Sequence, residues 1–331
     1  MIIMRTKLIL VGVAALIGAL GVAQLAGLPE ARVTVHVLGE DGNPVTGAKV
    51  SYGFCAPFDS NTLVNIEGVS DQNGNFTGQG HSNGVVGLQI TKDGYYAGWA
   101  PIPTFYTSKD NKWQPWDQTY TTILRKIIKP IPMYARKFGA IIPSALNASC
   151  GFDLEEGDWV APYGKGKVAD FVFMVTKAEY RSDNDYDASA TLIFSNDGDG
   201  IQEIQLPNEY ANNVFKWPRE APETGYQQKL DIERQWSNFD SIQGTKNLDS
   251  SKDHPDFFFR VRTVKSGDKI VSALYGKITS GFRTGPDKTQ HGYIEFTYYL
   301  NPTPNDRNLE WDPTKNLAPT PKDRTMQVRA P

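Results

Sequence analysis

The strongest constraint on the fold is a period-two alternation of apolar and polar residues early in the chain. Val33, Val35 and Val37 are separated by Thr34 and His36, and Val50 and Tyr52 by Ser51. Successive side chains of an extended strand leave on opposite faces, so this pattern buries one face and wets the other. Between the two runs stand Asp41-Gly42-Asn43-Pro44, residue types that favour a tight turn. Asp71-Gln72-Asn73-Gly74 precedes Phe76, and Val86, Leu88 and Ile90 alternate again before Lys92-Asp93-Gly94-Tyr95. A chain patterned in this way is expected to form a small antiparallel sandwich. Gly42 and Gly74 are expected to supply the positive φ that tight hairpins require.

The 331 residues suffice for two ordinary domains. A hydrophobic content of 40% with 21% charged residues suits a globular chain. The net charge of −3 offers no field suited to a polyanion, so no nucleic-acid partner is expected. Arg5 and Lys7 precede an uncharged run from Leu8 to Leu28, in which Gly21-Val22-Ala23 forms a small-x-small cleavage site. Residues 1–30 are therefore expected to be a secretory signal peptide, either cleaved or kept as a signal anchor. The membrane is engaged only through an uncleaved leader. No Cys follows the apolar run, which excludes a lipoprotein anchor. The expected location is periplasmic, cell-surface or extracellular. Cys55 and Cys150 fit two arrangements in such a compartment, a disulfide or two free thiols.

Val33–Val37, Gly42-x-Pro44-Val45, Gly47-Ala48-x-Val50, Asp71-x-x-Gly74-x-Phe76 and Ile90-x-Lys92-x-Gly94-Tyr95 resemble the carboxypeptidase regulatory-like module. The resemblance covers residues 31–133. It implies an all-β fold there, a seven-stranded Greek-key sandwich of the transthyretin or Ig-like kind. It also implies an accessory or binding module without catalytic residues.

Trp99 to Thr119 is expected to be a long loop, and Thr119–Ile128 the last strand of the sandwich. The basic residues Arg125, Lys126, Lys129, Arg136 and Lys137 are expected to lie solvated on a strand edge. Residues 134–150 are expected to form a connector. Residues 151–315 are expected to form a second β-sandwich or jelly-roll-like domain. Its strands are Ala169–Tyr180, Asp187–Phe194, Asp256–Val264, Lys269–Thr279 and Tyr293–Leu300. Ile294, Phe296, Tyr298 and Leu300 would share one face, with Glu295 and Thr297 on the other. Gln227–Trp236 is expected to be a short helix, and residues 316–331 a loose Pro-rich tail.

Catalytic and metal motifs are sparse. Gly164-Lys165-Gly166-Lys167-Val168-Ala169 has the spacing of a dinucleotide fingerprint, but a strand rather than a helix follows it. Asp183, Asp185 and Asp187 alternate as in a calcium loop, yet Ala188 stands where that loop needs Gly and Phe194 where it needs Glu. Asp197 and Asp199 form a second acidic turn. Calcium, if bound, would take one of these loops, and no other cofactor is expected. Glu155, Glu156 and Asp158 offer the carboxylates that glycoside hydrolysis uses. No G-x-S-x-G occurs, and no catalytic residue is assigned.

Trp99, Tyr106, Trp113 and Trp116 form the aromatic lead for ligand binding, because exposed rings stack on the apolar C–H faces of sugars. Packing against the body of the protein is the competing role for the same rings. The expected function is an exported, non-enzymatic envelope or extracellular protein with a binding or structural role. Its partner would be a polysaccharide or another surface protein. Two alternatives remain, a secreted hydrolase with its site in the second domain and a surface protein that forms assemblies.

Overall fold

The computed structural model describes residues 27–55, 63–100, 102, 104–183, 185–239, 246–249 and 255–331. The fold is all-β, and it divides into two compact units. One holds the chain up to Ile127 together with Pro207–Lys216. The other holds Ile128–Leu206 and Trp217–Pro331. Most of the leader expected over residues 1–30 lies outside the described residues. Among the described residues no helix is long and apolar enough to cross a membrane.

The first unit contains β1 (Glu30–Gly39), β2 (Lys49–Cys55), β3 (Leu63–Val69), β4 (Asn75–His81), β5 (Val86–Thr91), β6 (Thr107–Lys109), β7 (Lys112–Gln114) and β8 (Gln118–Leu124). Its larger sheet is built around β1, which pairs antiparallel with β4 and parallel with β8 and β7. The smaller sheet has the order β3-β2-β5. The alternation in the sequence becomes the core directly: Ala31, Val33, Val35 and Val37 of β1 are buried with Val50, Tyr52 and Phe54 of β2 and Ile90 of β5. Gly42 and Gly74 take φ of 75° and 78° in the turns expected of them.

The stretch expected as a loop after Trp99 instead carries a hairpin, β6–β7, so among the described residues this unit has eight strands where seven were expected. Asp110 and Asn111 at its tip have φ of 51° and 58°, the left-handed pair that a two-residue turn demands. Arg125 departs from the expected solvated edge. It is buried, its Nε 2.8 Å from Glu40 Oε1 and its Nη1 donating to Phe215 O at 3.0 Å. Pro207–Lys216 completes the unit: Trp99 N donates to Asn212 O and Val214 N to Ala97 O, both at 2.9 Å.

The second unit contains β9 (Tyr134–Ile141), β10 (Ser149–Asp153), β11 (Asp158–Trp159), β12 (Phe171–Ser182), β13 (Asp185–Ile193), β14 (Gly200–Glu203), β15 (Lys229–Phe239), β16 (Lys246–Asp249), β17 (Phe257–Ser266), β18 (Lys269–Pro286) and β19 (Gly292–Asn301). They form two sheets, β11-β10-β12-β13-β15-β16 and β14-β17-β18-β19-β9. Phe152, Phe171, Phe173 and Leu192 of the first share one core with Phe259, Phe282 and Phe296 of the second. The rings pack edge to face, as Phe171 on Phe259 at 5.2 Å and 84°, the arrangement that ring quadrupoles favour. Ile294, Phe296, Tyr298 and Leu300 face this core together, as their alternation predicts.

Three expectations are corrected in this unit. Gln227–Trp236 is not helical; it falls largely in β15. Ile232 is buried and Leu230, Arg234 and Trp236 half-buried, while Asp231, Glu233 and Gln235 are exposed, so period two prevailed over helical propensity. The supposed connector contains β9, which pairs along its length with β19. The tail is packed: Asn316 brackets Ala135, accepting from its N at 3.0 Å and donating to its O at 2.9 Å, and Tyr299 Oη donates to Ala330 O at 2.5 Å.

Arg262 ties the two sheets together. Its guanidinium lies 2.8 Å from Asp170 Oδ1, 2.8 Å from Glu155 Oε1 and 3.2 Å from Asp153 Oδ1. Burial pushes Asp170 above the usual carboxylate range, against the pull of Arg262. Asp153 is also pushed upward by burial, but backbone N–H groups of Lys167, Val168, Glu156 and Glu155 outweigh this and hold it below its ordinary value.

Candidate functional site

The registers of β12, β13 and β15 set the floor of a site. Ala178 pairs with Ala188 and Ala188 with Arg234, and two residues further along Tyr180 pairs with Tyr186 and Tyr186 with Trp236. Ala178 and Ile232 belong to the core. By alternation Tyr180, Tyr186 and Trp236 continue the same inward face beyond the point where the core ends. Adjacent strands are about 4.8 Å apart, so the three residues stand in a row across the sheet.

The opposite wall comes from β18 and β19. Tyr180, Asp183, Tyr186 and Arg234 line one open cleft of about 300 Å³ together with Arg283, Tyr293 and Glu295. Arg283 and Glu295 also line an adjoining hollow of about 180 Å³ with Lys137 of β9. The turn between β18 and β19 is held to β12 through Gln290, which accepts from Tyr180 N at 2.8 Å and donates to Tyr180 O at 2.9 Å. Opposite Glu295 in the ladder stands Gly139. A Cβ there would lie 2.4 Å from Tyr293 Oη, so the missing side chain makes room for the phenol.

A two-residue bulge interrupts β18 beside this hollow, where pairing passes from Thr279↔Thr297 to Phe282↔Phe296. Ser280 and Gly281 take φ of 60° and 59°. Ser280 N donates to the buried Asp256 at 2.6 Å, which holds the bulge in place.

The polar groups are interlocked. Tyr293 Oη donates to Glu295 Oε2 at 3.2 Å, and Glu295 Oε1 lies 3.4 Å from Lys137 Nζ and 3.9 Å from Arg283 Nη1. Tyr180 Oη donates to Asp183 at 2.5 Å. That hydrogen bond raises the Tyr180 pKa, while burial first and Glu295 second raise that of Tyr293. Both phenols therefore stay protonated donors at neutral pH. The Arg234 guanidinium stands over the rings of Tyr186 and Trp236, at 5.5 and 5.9 Å from their centroids.

The residues singled out from sequence fare differently. Trp113 turns inward: its ring packs on Phe105 at 6.3 Å and its Nε1 donates to Ser82 O at 2.8 Å. Trp116 is half-buried with Lys112 Nζ 4.8 Å from its ring centre. Trp99 is 41% and Tyr106 88% exposed. Among the described residues no ring contact joins any two of these four.

The acids offered to calcium are held by cations or backbone amides. Arg181 lies 2.8 Å from Asp185 and 3.2 Å from Asp187, which also meets Lys177 at 3.2 Å. Lys265 lies 2.9 Å from Asp197. Asp199 accepts from the N–H groups of Arg262 and Thr263 at 3.0 and 2.8 Å. No group of three metal-ligating side chains occurs among the described residues. Glu155 is paired with Arg262 and Glu156 with Lys167, each at 2.8 Å, while Asp158 accepts from Trp159 N and Lys165 N. Cys150 is a buried free thiol, whose pKa burial raises to about 11. Cys55, its partner in one of the two arrangements the sequence allows, lies on β2 with its side chain outside the described residues.

Sequence does not mark Tyr180, Tyr186 and Trp236 as a group, because Trp236 lies far along the chain from the two tyrosines and only strand pairing aligns the three.

No family model matches the chain, and neither does any curated protein. Solved structures similar to it include the dioxygenase domain of a dioxygenase carbohydrate-binding protein fusion from Streptomyces sp. SirexAA-E. That likeness has 12% identity over 31% of this chain and 82% of that one, with a TM-score of 0.22. The shaft pilin SpaA of Lactobacillus rhamnosus GG aligns over 74% of this chain and 92% of its own, at 10% identity and a TM-score of 0.20. A DUF3823 family protein from Parabacteroides merdae aligns over 83% and 100%, at 10% identity and a TM-score of 0.17. Likenesses at this level carry no argument about function.

Proposed function

We propose that the protein is an exported, non-enzymatic carbohydrate-binding protein and that the cleft in its second unit holds the sugar. The observation that carries this reading is the lining of one cleft by Tyr180 and Tyr186 with Arg283, Tyr293 and Glu295, with Trp236 next to Tyr186 in the ladder. Sugar rings present apolar C–H faces and equatorial hydroxyls. The tyrosine rings take the first, and paired charged and phenolic groups at the rim take the second. The first unit, with its likeness in sequence to the carboxypeptidase regulatory-like module, serves as the accessory module. Binding of the protein to a panel of immobilised polysaccharides tests this. Retention on at least one, lost in Tyr186→Ala with an unchanged melting temperature, is the expected outcome. Failure to bind any of them, or undiminished binding by Tyr186→Ala, would overturn it.

A further inference from the structure

The cleft is lined by two arginines, Arg234 and Arg283, and two acids, Asp183 and Glu295, and the least tightly held of these four groups names a class of sugar. Both acids have closer partners than Arg283. Asp183 accepts from Tyr180 Oη at 2.5 Å, with Lys288 Nζ 3.9 Å away. Glu295 accepts from Tyr293 Oη at 3.2 Å and meets Lys137 at 3.4 Å. Arg283 is 3.9 Å from Glu295, beyond hydrogen-bonding reach, and its side chain is 50% exposed. It lines both the main cleft and the adjoining hollow. Register places Arg283 directly opposite Glu295 on neighbouring strands, so the guanidinium is anchored on a rigid ladder rather than a loop.

A planar guanidinium with five donors matches an anionic group in two-point geometry better than it matches a hydroxyl. We infer that the cleft takes an acidic saccharide, with the sugar ring over the row of Tyr186 and its neighbours and the anionic substituent on Arg283. This rests on the carbohydrate-binding reading above. The anion can be the carboxylate of a hexuronate or a sulfate ester, and both present the same oxygens to Arg283.

The test measures the affinity of the full chain for three oligosaccharides of equal length: a uronate, a sulfated sugar and a neutral one. At least one anionic arm is expected to bind about tenfold or more tightly than the neutral arm, a ratio typical of one charge-assisted contact. That preference should shrink as salt is raised. Arg283→Gln should abolish it with an unchanged melting temperature, and Arg283→Lys should restore part of it. The arm that binds tightest tells the uronate from the sulfate ester. Equal or tighter binding of the neutral arm would overturn the inference and leave the carbohydrate reading standing. So would a preference that survives Arg283→Gln. Absence of binding to all three, together with a negative polysaccharide panel, would overturn both.

Discussion

The β6–β7 hairpin of the first unit and the open cleft of the second both gather aromatic side chains, but by opposite routes. In the first, Trp99, Tyr106, Trp113 and Trp116 are neighbours in sequence, and packing separates them. Trp113 is spent on the core through Phe105 and Ser82, and Trp116 lies beside Lys112. In the second, Tyr180, Tyr186 and Trp236 come from three strands, and the ladder aligns them. Density of aromatics along a chain therefore says little about a binding surface. Register across a sheet says more, because it fixes which side chains share a face.

Five substitutions sharpen or break this contrast. The largest effect is expected from Arg262→Ala, which leaves Asp153 and Asp170 buried without their cation and loosens the two sheets that form the cleft walls. Denaturant unfolding should report a loss of about 3 kcal/mol. The loss should also depend on pH. Burial holds Asp170 above its ordinary value in the native protein, and without Arg262 it rises further. A folded state that binds its proton more tightly gains stability as pH falls from the raised value towards the unfolded one near 3.9. The destabilisation is therefore expected to ease in acid, and a loss that grows there would contradict the assignment of Asp170.

Trp113→Ala should cost the first unit about 2–3 kcal/mol, somewhat less than a fully buried tryptophan, without changing sugar binding in the variant that remains folded. A surface ring would show the reverse, lost binding with intact stability, so this variant distinguishes the two roles of the hairpin. Tyr186→Ala is expected to weaken sugar binding about tenfold, equivalent to about 1.4 kcal/mol, with a smaller change in unfolding free energy.

The smallest effects are expected from Trp99→Ala and Tyr106→Ala. Each should shift stability by no more than about 0.5 kcal/mol and leave the affinity within twofold by titration calorimetry. If these two, and not Tyr186→Ala, abolish binding, the site belongs to the hairpin and the contrast fails.

Much of the scaffold was legible in the primary structure. The alternation of β1, β2, β5 and β19 survives intact because a strand with one buried face has its side-chain parity set by the residues themselves. Ile294 and Phe296 could be assigned to the core, and Glu295 to the opposite face, on that ground alone. The errors share a cause. Gln227–Trp236 alternates only from Leu230 on, with Arg234 at one inward position and Ile232 alone buried, and pairing with β13 makes this weak pattern the strand β15. Arg125 carries the chemistry of a surface residue, but Glu40 and the carbonyl of Phe215, far away in sequence, make its burial tolerable.

What the sequence determined by itself is the all-β class, the inward face of the best-patterned strands and the turn positions of Gly42 and Gly74, all consequences of contacts and dihedral preferences within a few residues. What only the tertiary structure decided is the capture of Pro207–Lys216 by the first unit, the pairing of Asp153 and Asp170 with Arg262, and the cleft itself. Each depends on which distant strands become neighbours. That choice is made by the packing of whole sheets, where many small burial terms are summed and no single segment carries the answer.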